Sequence, residues 1–374
     1  MHIEKLSLFN FKNYEEITLN FSEKVNCLVG VNGTGKTNIL DAIHYLSLTK
    51  SAFNSIDSQN IRFGEKVFSI RAVFSKEGKH SEVSCGFQEG TKKAFRIDRK
   101  EYERLSEHIG KFPVVLIAPN DVDVIREGSE IRRKFFDAIL CQMDNQYLDN
   151  LVKYNQYLRQ RNSALKKFTF TGRVDYDLIH TYDRSLLAFG KSIFERRSEF
   201  IKDYFLLFQR HYSLLSQNKE SVTIIYKSEV GDEAFEENFN LNLKKDLALE
   251  RTSMGVHRDD YKLMIEGKPL KKFGSQGQQK TFLVALKMAH FEIIKGLKGF
   301  KPILLLDDIF DKLDSFRIKQ LVRMIADQTF GQIFITDARE ERTKEILKEL
   351  NIDATFYQID KGIVKEATHG EEKI

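Results

Sequence analysis

Cysteine is scarce in this sequence. Cys27, Cys85 and Cys141 are the three among 374 residues, and they stand far apart, which excludes a disulfide framework and a paired-cysteine zinc site. Long apolar runs are missing too: a stretch such as Ile303 to Leu306 is far too short to span a bilayer, which takes about 20 residues. The opening Met1-His2-Ile3-Glu4-Lys5 is charged and alternates as a strand does, unlike a signal peptide. Internal repeats and low-complexity tracts are absent. These absences point to a soluble chain in the reducing cytoplasm with no membrane partner. At 41% hydrophobic and 30% charged residues, it can build one large domain or two ordinary ones.

A strong charge of one sign is lacking overall, yet the charge is unevenly placed. From Ile131 to Glu220 there are 16 Lys and Arg against 10 Asp and Glu, a surplus of 6 on a chain whose net charge is +5, so the remainder sums to −1. A basic segment on a near-neutral body suits a polyanion partner. A solvated helical face has the same composition.

The sequence also contains a phosphate-binding loop. Gly30-Val31-Asn32-Gly33-Thr34-Gly35-Lys36-Thr37 follows an apolar run of strand length, Val25 to Val29, and precedes helical spacing in Asn38-Ile39-Leu40-Asp41-Ala42-Ile43. A strand, a tight glycine-rich turn and a helix N-terminus aim backbone N–H groups and the helix dipole at one point. In that arrangement Gly30, Asn32, Gly33, Thr34, Gly35 and Asn38 form the cradle. Lys36 reaches the terminal phosphates, and the Thr37 hydroxyl ligates Mg²⁺. The chain is therefore expected to bind a nucleoside triphosphate.

Around the loop the pattern is α/β. Residues 1 to about 100 read mostly as strand, and a short helix near Tyr102 to Ile109 leads to a strand at Phe112 to Ile117. From Ser129 the period becomes helical: Phe136, Leu140, Met143, Tyr147, Leu151, Tyr154 and Leu158 lie on one face. After Thr169-Phe170-Thr171-Gly172 the period restarts at Ile179 and continues toward Tyr212. The expectation is an antiparallel pair of helices of roughly 35 residues each, about 50 Å long. Further on, Ser221 to Lys227 is strand-like, Phe235 to Glu250 helical and Tyr261 to Glu266 a strand. A helix from Gln276, strands at Ile303 to Asp307 and Gln332 to Thr336, a helix from Ser315 and a last helix–strand pair complete the pattern.

Two further stretches bear on chemistry. Ile303-Leu304-Leu305-Leu306-Asp307-Asp308 is a buried strand delivering carboxylates at its C-terminal end. Asp307 is placed to hold Mg²⁺, and Asp308 to orient or deprotonate the attacking water. Phe273-Gly274-Ser275-Gln276-Gly277-Gln278-Gln279-Lys280 opens an apolar helix. Its Ser275, with Gly277 and Gln278, offers either an ordinary N-cap or a second anion site for a γ-phosphate. Loop, signature and acidic strand in this order form the pattern of an ABC-type ATPase head, with Asp311-Lys312-Leu313-Asp314 in the place of its interface loop.

Over essentially its full length the sequence resembles the RecF family of bacterial recombination-mediator ATPases. The matching residues are the stretch Ile3 to Tyr14, the loop Gly30 to Thr37, Ala118-Pro119-Asn120-Asp121 with Gly128, Ile131 to Asp137, Gly255-Val256-His257-Arg258-Asp259-Asp260, Ser275 to Gln279, and Leu305 to Asp308. The resemblance implies ATP with Mg²⁺, a head-to-head ATP-dependent homodimer, and binding to double-stranded DNA and gapped junctions. It also implies work with RecR, RecO and RecA, nucleoid association, and a head of residues 1–120 and 250–374 interrupted by a helical lobe at 121–249. Candidate DNA contacts are Arg132, Arg133, Arg159, Arg161, Lys166, Lys167, Arg196 and Arg197.

Several positions depart from the family pattern. Phe53 stands where an Arg is usual and Val256 where a Pro is. No histidine follows the last core strand, where Thr336-Asp337 stands instead. Asp308 is one methylene shorter than the usual glutamate, which implies slow turnover. Another SMC-related head is the alternative. Such proteins have coiled-coil arms of hundreds of residues, or a Cys-x-x-Cys hook, and this sequence has neither.

Overall fold

The computed structural model describes residues 1–309, 318, 320, 322–323 and 329–369. The loop at Asp311 to Asp314 and the helix expected from Ser315 lie outside these residues. The alternation that opens the chain becomes β1 (His2–Phe11), with Leu6 and Leu8 buried and Lys5 exposed between turns of the pleat. It pairs antiparallel with β2 (Tyr14–Asn20) and β4 (Val67–Lys76), and the sheet continues through β5 (Lys79–Gln88), β6 (Ala94–Ile97) and β7 (Lys100–Glu101).

A second sheet surrounds β3 (Val25–Val29), which is buried along its whole length between β13 (Ile333–Asp337) and β14 (Ala354–Asp360). Beyond β13 lie β12 (Ile303–Leu306) and β8 (Val114–Ile117), all parallel. Continuous apolar runs are what strands covered on both faces require. Only β15 (Ile363–His369), at the edge beside β14, runs antiparallel. Helix α1 (Lys36–Leu48) leaves β3 through the loop and buries Ile39, Leu40, Ile43 and Leu46 in one core shared by both sheets. The short helix expected near Tyr102 is a single 3₁₀ turn, Leu105–Glu107.

By Cα packing this first unit comprises residues 1–121 and 280–374, and the second is 122–279. The return was expected at residue 250. It comes instead at Lys280, because β10 (Asp260–Ile265) pairs antiparallel with β9 (Val222–Lys227) along six residues and with β11 (Lys268–Pro269) beyond it. A strand cannot be parted from its ladder without exposing its backbone polar groups.

In the second unit the long helix expected from Ser129 is two: α2 (Ser129–Met143) and α3 (Asn145–Thr171). Asp144 divides them. Its backbone is extended, and its carboxylate accepts from Tyr147 N at 3.0 Å, capping α3. Gly172 closes α3 in the left-handed conformation (φ 68°), and Asp175 caps α4 (Tyr176–Ser216), a helix of 41 residues. The span after β9 likewise divides, into α5 (Phe235–Leu241) and α6 (Leu243–Leu249). Helix α7 (Gln276–Lys298) begins at the signature, and α8 (Glu340–Lys348) precedes β14. No helix among the described residues is long and apolar enough to cross a membrane.

Candidate nucleotide site

The loop after β3 is held by its own backbone requirements. A Cβ on Gly30, whose φ is +147°, would sit 2.2 Å from the Ile359 carbonyl oxygen, and one on Gly35 (φ +117°) would meet Asn13 Nδ2 at 2.6 Å. Only glycine fits both. The same Asn13 donates to Thr34 O at 3.0 Å and accepts from Asn38 Nδ2 at 2.7 Å, while Gly362 N donates to Thr34 O at 3.1 Å. The loop is thus braced from β1's end and from the β14–β15 turn. Thr34 Oγ1 donates inward to Val31 O at 2.9 Å.

Lys36 is buried, and its ammonium donates to Gly30 O at 2.6 Å and Val31 O at 2.9 Å. Burial lowers its pKa, while Asp308, Asp307 and Asp337 oppose that shift. No side chain caps the first turn of α1, which leaves N–H groups available to an anion.

The acidic strand end meets the loop. Thr37 Oγ1 donates to Asp307 Oδ1 at 2.8 Å, and Thr336 Oγ1 donates to the same oxygen at 2.8 Å. Thr336 Oγ1 also accepts from Asp308 N at 2.8 Å. Burial raises the Asp307 pKa, opposed by those two hydroxyls. Asn32, Gly33, Lys36, Thr37, Asp307 and Asp308 line one cleft of about 300 Å³ with Pro119 and Thr336. Carboxylate and hydroxyl oxygens are hard donors, a set that fits Mg²⁺. Thr336, read from the sequence as the lack of a histidine, therefore has its own place: it ties Asp307 to the Asp308 backbone.

Ser275 and Gln278 lie in the second unit and form a reciprocal cap. Ser275 Oγ accepts from Gln278 N at 3.2 Å, and Gln278 Oε1 accepts from Ser275 N at 2.6 Å. Gln278 Nε2 also donates to Glu220 Oε1 at 2.9 Å. The Ser275 side is exposed, and Gly277 belongs to the first turn of α7.

Of the eight expected DNA contacts, two are overturned. Arg161 is fully buried, with Nε 2.6 Å from Asp183 and Nη1 2.7 Å from Asp246. Arg197, 2% exposed, bridges Asp137 at 2.8 Å and Asp259 at 2.9 Å. A guanidinium neutralised inside the unit cannot meet a phosphate. Arg132 and Arg196 are half-buried and paired, with Asp260 at 2.7 Å and Asp144 at 3.0 Å. Arg133 donates to Asp259 O at 2.5 Å. Arg159, Lys166 and Lys167 stand exposed.

The Gly255 to Asp260 segment is structural. His257 Nε2 faces the Thr252 carbonyl at 3.1 Å, an acceptor, so Nδ1 must accept from Tyr154 OH at 2.8 Å. Both ring nitrogens are then used, and burial lowers the His257 pKa to about 4. At the remaining departure, the Phe53 ring lies 5.4 Å from the Lys12 ammonium, which pairs with buried Asp41 at 2.5 Å.

Residues 2–360 match the model of the RecF/RecN/SMC N-terminal domain family. The chain is 44% identical to the DNA replication and repair protein RecF of Cytophaga hutchinsonii over 374 residues, 100% of this chain and 99% of that one. The chain belongs to the RecF family. Another RecF, from Flavobacterium johnsoniae, is 46% identical over 348 residues, 93% of this chain and 97% of its own. A solved RecF with ATP, described as a recombination mediator of the RecFOR pathway, has a TM-score of 0.88 at 30% identity, covering 97% of both chains.

Proposed function

We propose that this protein is an ATP-dependent DNA-binding protein of recombinational repair and a slow ATPase that works as a switch. The observation behind this reading is the convergence of Lys36, Thr37, Asp307 and Asp308 on one cleft, supported by the RecF relatives. ATP lies with its phosphates in the loop, and Lys36 turns its ammonium from the Gly30 and Val31 carbonyls toward the terminal phosphates. Thr37 and Asp307 would hold Mg²⁺, which would supply positive charge to offset that of the phosphates. Asp308 orients the attacking water and takes its proton, giving ADP and phosphate.

Ser275, Gly277 and Gln278 complete the site of a second copy in a head-to-head dimer. The dimer binds duplex DNA near single-strand gaps through exposed cations, Lys166, Lys167 and Arg159 first among them. With RecR and RecO it promotes RecA loading, supporting replication restart and the SOS response, in the cytoplasm at the nucleoid. The test is DNA binding and self-association measured with and without ATP. Both should rise with ATP. If neither responds, the switch reading fails.

A further inference from the structure

One end of the second unit presents cations and an aromatic ring to water together. There Ala164, Leu165, Phe168 and Ile179 form a small core, against which Leu243 and Leu247 of α6 pack. Each helical residue advances about 100°, so Phe170 points roughly 200° away from Phe168. Phe168 is inside, and Phe170 is 92% exposed. Lys166 and Lys167, four and three residues earlier, share its face and are exposed. Past the Gly172 cap stands exposed Arg173. Helix α6 packs on α3, with Thr169 Oγ1 donating to Leu247 O at 3.1 Å, and brings the exposed Lys244 and Lys245 to the same end. Among the described residues no ion pair engages these five cations.

A single exposed Phe is ordinary. A Phe beside two lysines on one helix face, at the closed end of a hairpin with three more unpaired cations, presents the two chemistries a nucleic acid needs. Ammonium and guanidinium groups meet phosphates, and a ring stacks on a base. Within a continuous duplex each base is covered on both faces by its neighbours, so a ring must unstack a base step to insert there, at an energetic cost, whereas the end of a stack offers a free face at no such cost.

From this geometry we infer that the hairpin tip contacts DNA where duplex gives way to single strand, with Phe170 stacking on the terminal or first unpaired base and Lys166 and Lys167 on flanking phosphates. The inference rests on the DNA-binding reading above and gives it a location and a mode.

The test uses the full chain with ATP and two DNAs of one sequence: a covalently closed circular duplex, and the same circle with a single-stranded gap carrying 2-aminopurine at its first unpaired position. Phe170→Ala should weaken binding to the gapped circle about tenfold, leave the closed circle within about twofold, and abolish the change in 2-aminopurine fluorescence. Phe170→Trp should retain both signals. Lys166→Glu with Lys167→Glu should weaken both DNAs and flatten the salt dependence by roughly two units of slope. Equal loss of both DNAs in Phe170→Ala, or no loss of either, overturns the stacking role. An unchanged salt slope overturns the phosphate contacts. A change in self-association with DNA binding intact makes the tip a protein-binding surface instead. If the wild-type protein binds neither DNA, the functional reading itself falls and takes this inference with it.

Discussion

Thr37 Oγ1 donates a 2.8 Å hydrogen bond to Asp307 Oδ1, joining the first turn of α1 to the end of β12, 270 residues away in sequence. The same carboxylate oxygen accepts from Thr336 at 2.8 Å, so the ends of two adjacent parallel strands, β12 and β13, and the loop helix converge on one atom. Asp308 follows directly in the left-handed conformation, φ 49°, which costs a non-glycine residue on the order of 1 kcal/mol. Its N–H is held by Thr336, and the strand end is fixed where the phosphate loop needs it.

Nucleotide binding and turnover should separate at this site. Lys36→Met is expected to lower ATP affinity roughly 10–100-fold, the worth of a charge-assisted contact, with the fold intact by circular dichroism. Asp308→Asn should keep ATP affinity within a few-fold while hydrolysis drops by about 10²–10⁴. Wild-type affinity in the first variant, or wild-type turnover in the second, would remove that residue from its role.

Arg161 and Lys166 should behave oppositely although both lie in the basic window. Arg161→Met leaves Asp183 and Asp246 without their buried partner, at a cost of about 3–5 kcal/mol in denaturant unfolding. Lys166→Met should leave stability within about 0.5 kcal/mol and lower the salt slope of DNA binding instead. A stable Arg161→Met protein with a flattened slope reverses the assignment.

His257 makes stability depend on pH in a definite direction. Its pKa is lowered to about 4 in the fold, against about 6.5 unfolded. Between those values the unfolded chain binds the extra proton, so this contribution is present above pH 6.5 and is lost as pH falls toward 4, by about 1.4 kcal/mol per pH unit. In His257→Gln that component disappears. The stability gap between wild type and variant should therefore narrow from pH 7 to pH 4.5, and a constant gap in urea titrations at several pH values would mean His257 does not titrate as derived.

The shared-site dimer predicts complementation. Lys36→Met and Ser275→Arg should each impair the ATP-dependent dimer, yet Ser275→Arg alone should still bind ATP, because its own loop is untouched. Mixed, the two can form a heterodimer with one wholly intact site, so some ATP-dependent association or hydrolysis should return, measured by sedimentation and phosphate release. Loss of monomer ATP binding in Ser275→Arg, or no recovery on mixing where wild type dimerises, sinks the model.

Local chemistry made the loop, the acidic strand and most elements legible in the sequence. Gly30 must be glycine because the Ile359 backbone approaches it, and Gly35 because the Asn13 and Tyr14 side chains do, and a four-residue apolar run ending in Asp307-Asp308 reads as a buried strand. The α2–α3 break is also a local signal, an Asp144 cap, but it is hidden because the apolar period passes through it unbroken.

What the tertiary structure alone decided are the partners. Nothing in the basic window distinguishes Arg161 and Arg197 from Lys166 and Lys167. The difference is four carboxylates, Asp183, Asp246, Asp137 and Asp259, brought in from distant positions to neutralise the two arginines in a dry interior. Thr336 gained its place between Asp307 and Asp308 in the same way, since adjacent parallel strands align residues that no sequence spacing relates. Sequence determines which groups are available and their local backbone, and packing determines which of them remain free to act, because a charge buried beside its opposite has no field left for a ligand.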